Sequence, residues 1–234
     1  MPDMDILEER VRFAGDGGAL SGVLAYPADG EPAGAVLVCP PHPNFAGTME
    51  NNVVRALSRA AAGRYVTLRF DYRGVGESGM ALPAGVSAFD YWERVESQRD
   101  YADAVLDVAA AARELARLAA GLPMALVGYS FGAVVGLRHA CRAGGFRALV
   151  GISPPVMKVS LDDLPGCPAP CLLMGGDDGF ACSGEKLLLL AGPGVTVEVL
   201  ESRDHFFRGE EAPLCERTLR FLEPHMDSAS CGDA

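Results

Sequence analysis

Lysine is nearly missing from this chain: Lys158 and Lys186 are the only two among 20 basic residues. Acidic residues number 31, leaving a net charge of −11. A nucleic-acid binder needs a basic face, and this balance offers none. No apolar run reaches the roughly 18 residues that argue for a membrane span, so no membrane partner is expected. The N-terminal stretch "MPDMDILEER" is acidic and lacks the apolar centre of a secretory leader. A cytoplasmic location is therefore expected. The 7 cysteines include no C-x-x-C pair, and their count is odd. Scattered reduced thiols are expected, rather than a zinc site or a disulfide framework. No P-loop and no metal-ligand spacing occur, so neither metal nor cofactor is expected.

What the chain has is hydrophobic alternation. With 234 residues, 49% of them hydrophobic, it can bury a sizeable core. "RVRFA" and "SGVLAYP" flank "GDGGAL" and read as an N-terminal hairpin. Strands are expected at "AVLVC", "YVTLRF", "MALV", "RALVGI", "PCLLM" and "VTVEVL". Helical patterns lie between them. Thr48 is placed to cap one that runs to about Ala62. Ser97 and Asp100 have capping-box spacing ahead of an apolar face from Tyr101 to Leu118. "FGAVVGLRHACRA" follows "MALV", a short helix spans Glu185 to Leu190, and the last runs from Glu210 to Leu222. This alternation predicts an α/β fold with a mostly parallel, doubly wound sheet covered on both faces. Residues 1–225 read as one domain and 226–234 as a flexible tail. Residues 80–96 are the least regular interior piece, a surface loop or a small lid.

Gly128-Tyr129-Ser130-Phe131-Gly132 matches G-x-S-x-G, with a strand before it and a helix after it. That setting belongs to a nucleophile elbow, where small neighbours let strand and helix approach and lift the serine hydroxyl. The Phe131 backbone N–H opens the helix and can face a developing oxyanion. A serine also needs a base. Of the histidines, His139 is tied into the helix after Ser130, and His225 lies near the chain end. His205 follows the last strand in a loop, at the sheet edge where the elbow sits, and is the expected base. The orienting acid is expected at the end of "PCLLMGGDDGF". The Gly175-x-x-Asp spacing favours Asp178, with Asp177 as the alternative.

At these residues the chain resembles the α/β-hydrolase superfamily, over nearly its whole length. It is similar to the small, capless bacterial branch related to dienelactone hydrolases. "PPHPNFAGTM", "LRFDYRGVGESG", "GYSFG" and "RDHFF" carry the likeness. It departs in having Ser130 where dienelactone hydrolases have cysteine, and Ala46 in place of a glycine. The resemblance implies an α/β-hydrolase fold without a large cap domain. It also implies that the loop after "AVLVC" supplies a second oxyanion donor. Pro40, Pro41 and Pro43 have no N–H, which leaves His42, Asn44 or Phe45. Asn44 is favoured, with Phe45 second and His42 bracing the loop. Tyr129, Phe180 and Phe206 are expected to line a substrate pocket.

Gly74, Gly76 and Gly79 spell G-x-G-x-x-G, the mark of a dinucleotide-binding turn. A helix should open inside that motif, but the chain continues "MALPAG". The resemblance assigns the stretch instead to a tight turn anchored by Asp71 and Arg73. A dinucleotide-binding oxidoreductase and a noncatalytic binding protein are thus the weaker readings. The favoured one is a serine hydrolase acting on a carboxylic ester or thioester of a small-molecule acyl substrate. Alternatives within that class are a CoA- or carrier-linked thioesterase or cyclase, and a small peptidase.

Overall fold

The computed structural model describes residues 5–176, 181–200 and 205–226. Eight strands form one sheet in the order β1-β2-β4-β3-β5-β6-β7-β8. Strands β1 (Ile6–Gly15) and β2 (Gly18–Pro27) are the expected hairpin, and β2 pairs antiparallel with β4 (Val66–Phe70). From β4 onward all pairing is parallel, through β3 (Ala35–Cys39), β5 (Met124–Tyr129), β6 (Ala148–Ile152), β7 (Cys171–Gly176) and β8 (Val195–Leu200). This is the α/β-hydrolase architecture that the sequence led us to expect.

The short apolar runs become strands because both faces of the sheet are covered. In β3 every residue is fully buried, and neighbours point to opposite layers. Ala35, Leu37 and Cys39 join the layer of helices α3 (Ala102–Leu118) and α4 (Phe131–Ala143). Val36 and Val38 join the layer of α1 (Asn52–Ala62) and α6 (Glu211–Met226). The chain order reverses at β3, whose neighbours are β4 and β5. Loops leaving the C-terminal ends of β3, β5, β6 and β8 therefore gather at one edge.

Several local expectations are corrected. Helix α1 is capped by the Asn51 side chain, which accepts the Val53 N–H, rather than by Thr48. Residues 88–98 form helix α2 (Ala88–Gln98), where a loop or lid was read. The capping box lies at Ser87 and Asp90, not at Ser97 and Asp100, and such a cap contributes about 1 kcal/mol. Tyr91, Trp92 and Val95 bury one face of α2, so it is a fixed wall. Helix α5 is shorter than expected, Gly184–Leu188, and α6 runs on past Pro224 to Met226. Cys141 and Cys167 are joined by a disulfide, where reduced thiols were expected. They stand 26 residues apart in sequence, but the end of α4 meets the β6–β7 connection, with Cα atoms 4.5 Å apart. Cys39, Cys171, Cys182 and Cys215 are free and buried.

The glycine-rich turn after β4 is a structural knot. Gly74 and Gly76 have positive φ, and no helix opens before Ala88. The Asp71 carboxylate accepts the Met49 N–H at 2.7 Å. The Arg73 guanidinium grips the fully buried Asp107, with contacts of 2.9 to 3.1 Å, and Trp92 Nε1 donates to the Arg73 carbonyl. Removing one member of such a buried pair costs about 3–5 kcal/mol. These bonds lock the turn, which lacks the helix N-terminus that a pyrophosphate would need.

Candidate active site

Ser130 directly follows β5, at the N-cap of α4, in a conformation that side chains rarely adopt, φ 54° and ψ −116°. Strain of this kind costs on the order of 1–3 kcal/mol and persists only where its surroundings fix it. Here the Ser130 N–H donates to the Ile152 carbonyl at 2.7 Å, and packing does the rest. A Cβ on Gly132 would lie 2.2 Å from the Cys39 carbonyl oxygen, and one on Gly128 2.4 Å from that of Gly132. Both glycines are required by close backbone approach, as expected of the elbow. The Phe131 N–H is the first of α4 and has no acceptor within its own helix.

His205 Nε2 lies 3.0 Å from Ser130 Oγ. The imidazole is held from behind by Tyr129, whose hydroxyl donates to the His205 carbonyl at 2.7 Å. The two rings stack with centroids 5.8 Å apart. Tyr129, 2% exposed, braces the site and also forms part of the cavity wall. Phe206 is 46% exposed at the cavity mouth, while Phe207 is buried against Tyr129. Asp177, Asp178 and Phe180 lie outside the described residues.

The two donors expected of the β3 loop, Asn44 and Phe45, have partners within that loop. Pro43–Phe45 form a 3-10 turn capped by His42, whose Nδ1 accepts the Asn44 N–H at 3.2 Å. The Phe45 N–H donates to the His42 carbonyl at 2.8 Å. Both N–H groups thus have partners inside the turn. His42 does brace the loop. Its ring packs on Phe45, Trp92 and Phe131. Burial lowers its pKa, against the pull of Glu96 and of the Trp92 carbonyl. Because Nδ1 accepts a hydrogen bond, the neutral ring carries its proton on Nε2.

A cavity of about 330 Å³ opens at these residues, walled by Pro41, His42, Phe45, Ser130, Phe131 and His205 among others. Sequence reasoning missed three charged side chains at its wall: Glu96 from α2, Lys158 after β6 and Arg208 after His205. Only the scarcity of lysine could have flagged Lys158. Among the described residues, no group of three or more His, Cys, Asp or Glu side chains is placed to hold a metal ion. No helix among them is long and apolar enough to cross a membrane.

Residues 30–175, well over half of the chain, match the family described as "Serine aminopeptidase, S33". The chain belongs to this α/β-hydrolase family. It is therefore a hydrolase-type enzyme by descent and fold. An uncharacterised protein of Rickettsia prowazekii is 28% identical to the hydrolase over 212 residues, 85% of this chain and 82% of that one. A solved α/β serine hydrolase homologue from Coxiella burnetii is 27% identical, covers 92% of this chain and 97% of its own, and superposes with a TM-score of 0.76. A serine hydrolase from Xanthomonas campestris, described as without lid, shares the fold at a TM-score of 0.78 with 22% identity and 98% coverage of both chains.

Proposed function

We propose that this hydrolase cleaves carboxylic esters or thioesters of small acyl substrates through an acyl-enzyme on Ser130. The observation that carries the reading is the 3.0 Å approach of His205 Nε2 to Ser130 Oγ at a strained elbow. His205 takes the hydroxyl proton as Ser130 Oγ attacks the carbonyl carbon. The carbonyl oxygen becomes an oxyanion beside the Phe131 N–H, the one expected donor not already spent. Collapse breaks the bond to the alcohol or thiol, which leaves with the proton held by His205. Water then attacks the acyl-enzyme, giving its proton to His205, and the acid departs as Ser130 regains its own. Asp178, or Asp177, is the acid assigned to fix the imidazole tautomer.

Esters and thioesters share this route, and the family's description points to peptides as a further class. Esterases stand among the solved structures of the same fold, one of them from Butyrivibrio proteoclasticus with ferulic acid bound. Turnover of matched ester, thioester and aminoacyl-amide panels by wild type and Ser130→Ala tests the reading. Ester or thioester turnover that collapses in the variant supports it. Turnover confined to aminoacyl amides, or undiminished in the variant, refutes it.

A further inference from the structure

His205 reaches Ser130 from a segment whose backbone is held by two other elements. The His205 carbonyl accepts the Tyr129 hydroxyl at 2.7 Å. The next carbonyl, that of Phe206, accepts from Asn52 Nδ2 at 3.3 Å. Asn52 is the first residue of α1 and stands 154 positions from Phe206 in sequence. The same Nδ2 donates to Glu211 Oε1 at 2.7 Å, and Glu211 is the first residue of α6. An amide nitrogen carries two hydrogens, so each acceptor receives one. Asn52 takes no part in the proposed chemical steps, although it lines the Ser130 cavity.

Glu211 is itself fixed. The Asn52 amide lowers its pKa most, burial opposes that, and the N–H groups of Glu211 and Gly209 add to the lowering. Between the two anchors the Glu210 N–H donates to the Phe207 carbonyl at 3.0 Å. Phe207, with a φ of 49°, is buried against Tyr129, while Phe206 and Arg208 on either side are exposed. A residue other than glycine keeps such a conformation only where its surroundings impose it.

We infer that Asn52 and Glu211 are positioning residues for the base: Asn52 ties the Phe206 carbonyl to the start of α6 and so keeps the His205 imidazole on Ser130. Tyr129 holds one carbonyl from β5, and Asn52 holds the next from α1. A shift of about 1 Å at the imidazole would lengthen its 3.0 Å contact with Ser130 and slow proton transfer without touching the substrate. The inference rests on the reading of His205 as the base that activates Ser130.

Substitutions at Asn52 separate this role from support of α1 alone. Aspartate is favoured in the first turn of a helix, so Asn52→Asp preserves α1. It also removes both donated hydrogens and sets an acceptor against Phe206 and Glu211. On p-nitrophenyl acetate, Asn52→Ala should lower kcat on the order of tenfold with KM little changed, and Asn52→Asp at least as far. The rate at which a fluorophosphonate labels Ser130 should fall in the same proportion. Glu211→Ala should also lower kcat, and Glu211→Gln, which keeps an acceptor oxygen, should lose less. The Asn52→Ala/Glu211→Ala double variant should be no slower than Asn52→Ala alone. A kcat for Asn52→Asp within about twofold of wild type would confine Asn52 to α1 and overturn the inference. Losses at Asn52 and Glu211 that simply multiply, or a change confined to KM, would overturn it as well. Ester turnover that survives Ser130→Ala would instead strike the underlying reading.

Discussion

Tyr129 donates its hydroxyl to the carbonyl oxygen of His205, the residue whose imidazole meets Ser130. Ser130 and His205 are thus coupled through the residue just before the serine. Tyr129→Phe keeps the ring stack and deletes the hydrogen bond. Because a small misplacement of a catalytic group is costly, kcat should fall on the order of tenfold with KM little changed. Steady-state kinetics on a short ester check this. An unchanged kcat would mean that the loop is held by other contacts.

The orienting acid is tested by paired substitutions. Asp178→Asn should lower kcat by about 10³-fold or more, and Asp177→Asn by far less. Single-turnover rates for both variants decide it. The reverse ranking would move the role to Asp177, and mild losses in both would exclude this pair.

His42 ties stability to pH. Burial holds its folded pKa below the ordinary imidazole value of 6.5, so the unfolded chain takes up the proton first as pH falls. Its contribution is full above that value and is lost as pH drops through the folded pKa. Asp71 works in the opposite sense. Burial raises its pKa to about 6, so its protonation favours the folded state as pH falls from there. The two effects are separated by comparing Tm of wild type and His42→Gln from pH 7.5 to 5, on the order of the interval where these groups titrate. The variant should show the shallower loss on acidification. Parallel curves would mean that His42 is not held neutral.

The disulfide is open to direct chemistry. Alkylation of the denatured, unreduced protein should leave Cys141 and Cys167 unlabelled until reductant is added, as peptide mapping reads out. Closing a connection of 26 residues contributes about 2–4 kcal/mol through the unfolded chain, so reduction should lower Tm by several degrees. Free labelling of both cysteines without reductant would contradict the pairing.

Much of the fold was legible because its signals are local. "AVLVC" and "FGAVVGLRHACRA" coincide with β3 and α4, since apolar runs between glycines and prolines leave few choices of boundary. The elbow was legible for the same reason: five consecutive residues set it. Helix α2 was hidden because its buried face is narrow and follows a segment rich in proline and glycine. The Asn44 N–H shows what elimination leaves out. Prolines at 40, 41 and 43 narrowed the donors by elimination, yet a proline-led 3-10 turn then consumed the remaining N–H groups itself. Lys158, Arg208 and the disulfide depend on which distant segments meet, and no window of sequence carries that.

Acylation of Ser130 underlies every step proposed for this hydrolase. Intact mass after exposure to a fluorophosphonate probe, followed by peptide mapping, tests it most directly. A single adduct on Ser130 is expected, lost in Ser130→Ala and slowed on the order of a thousandfold or more in His205→Ala. No adduct on the folded wild-type protein, or one that persists in Ser130→Ala, would contradict it.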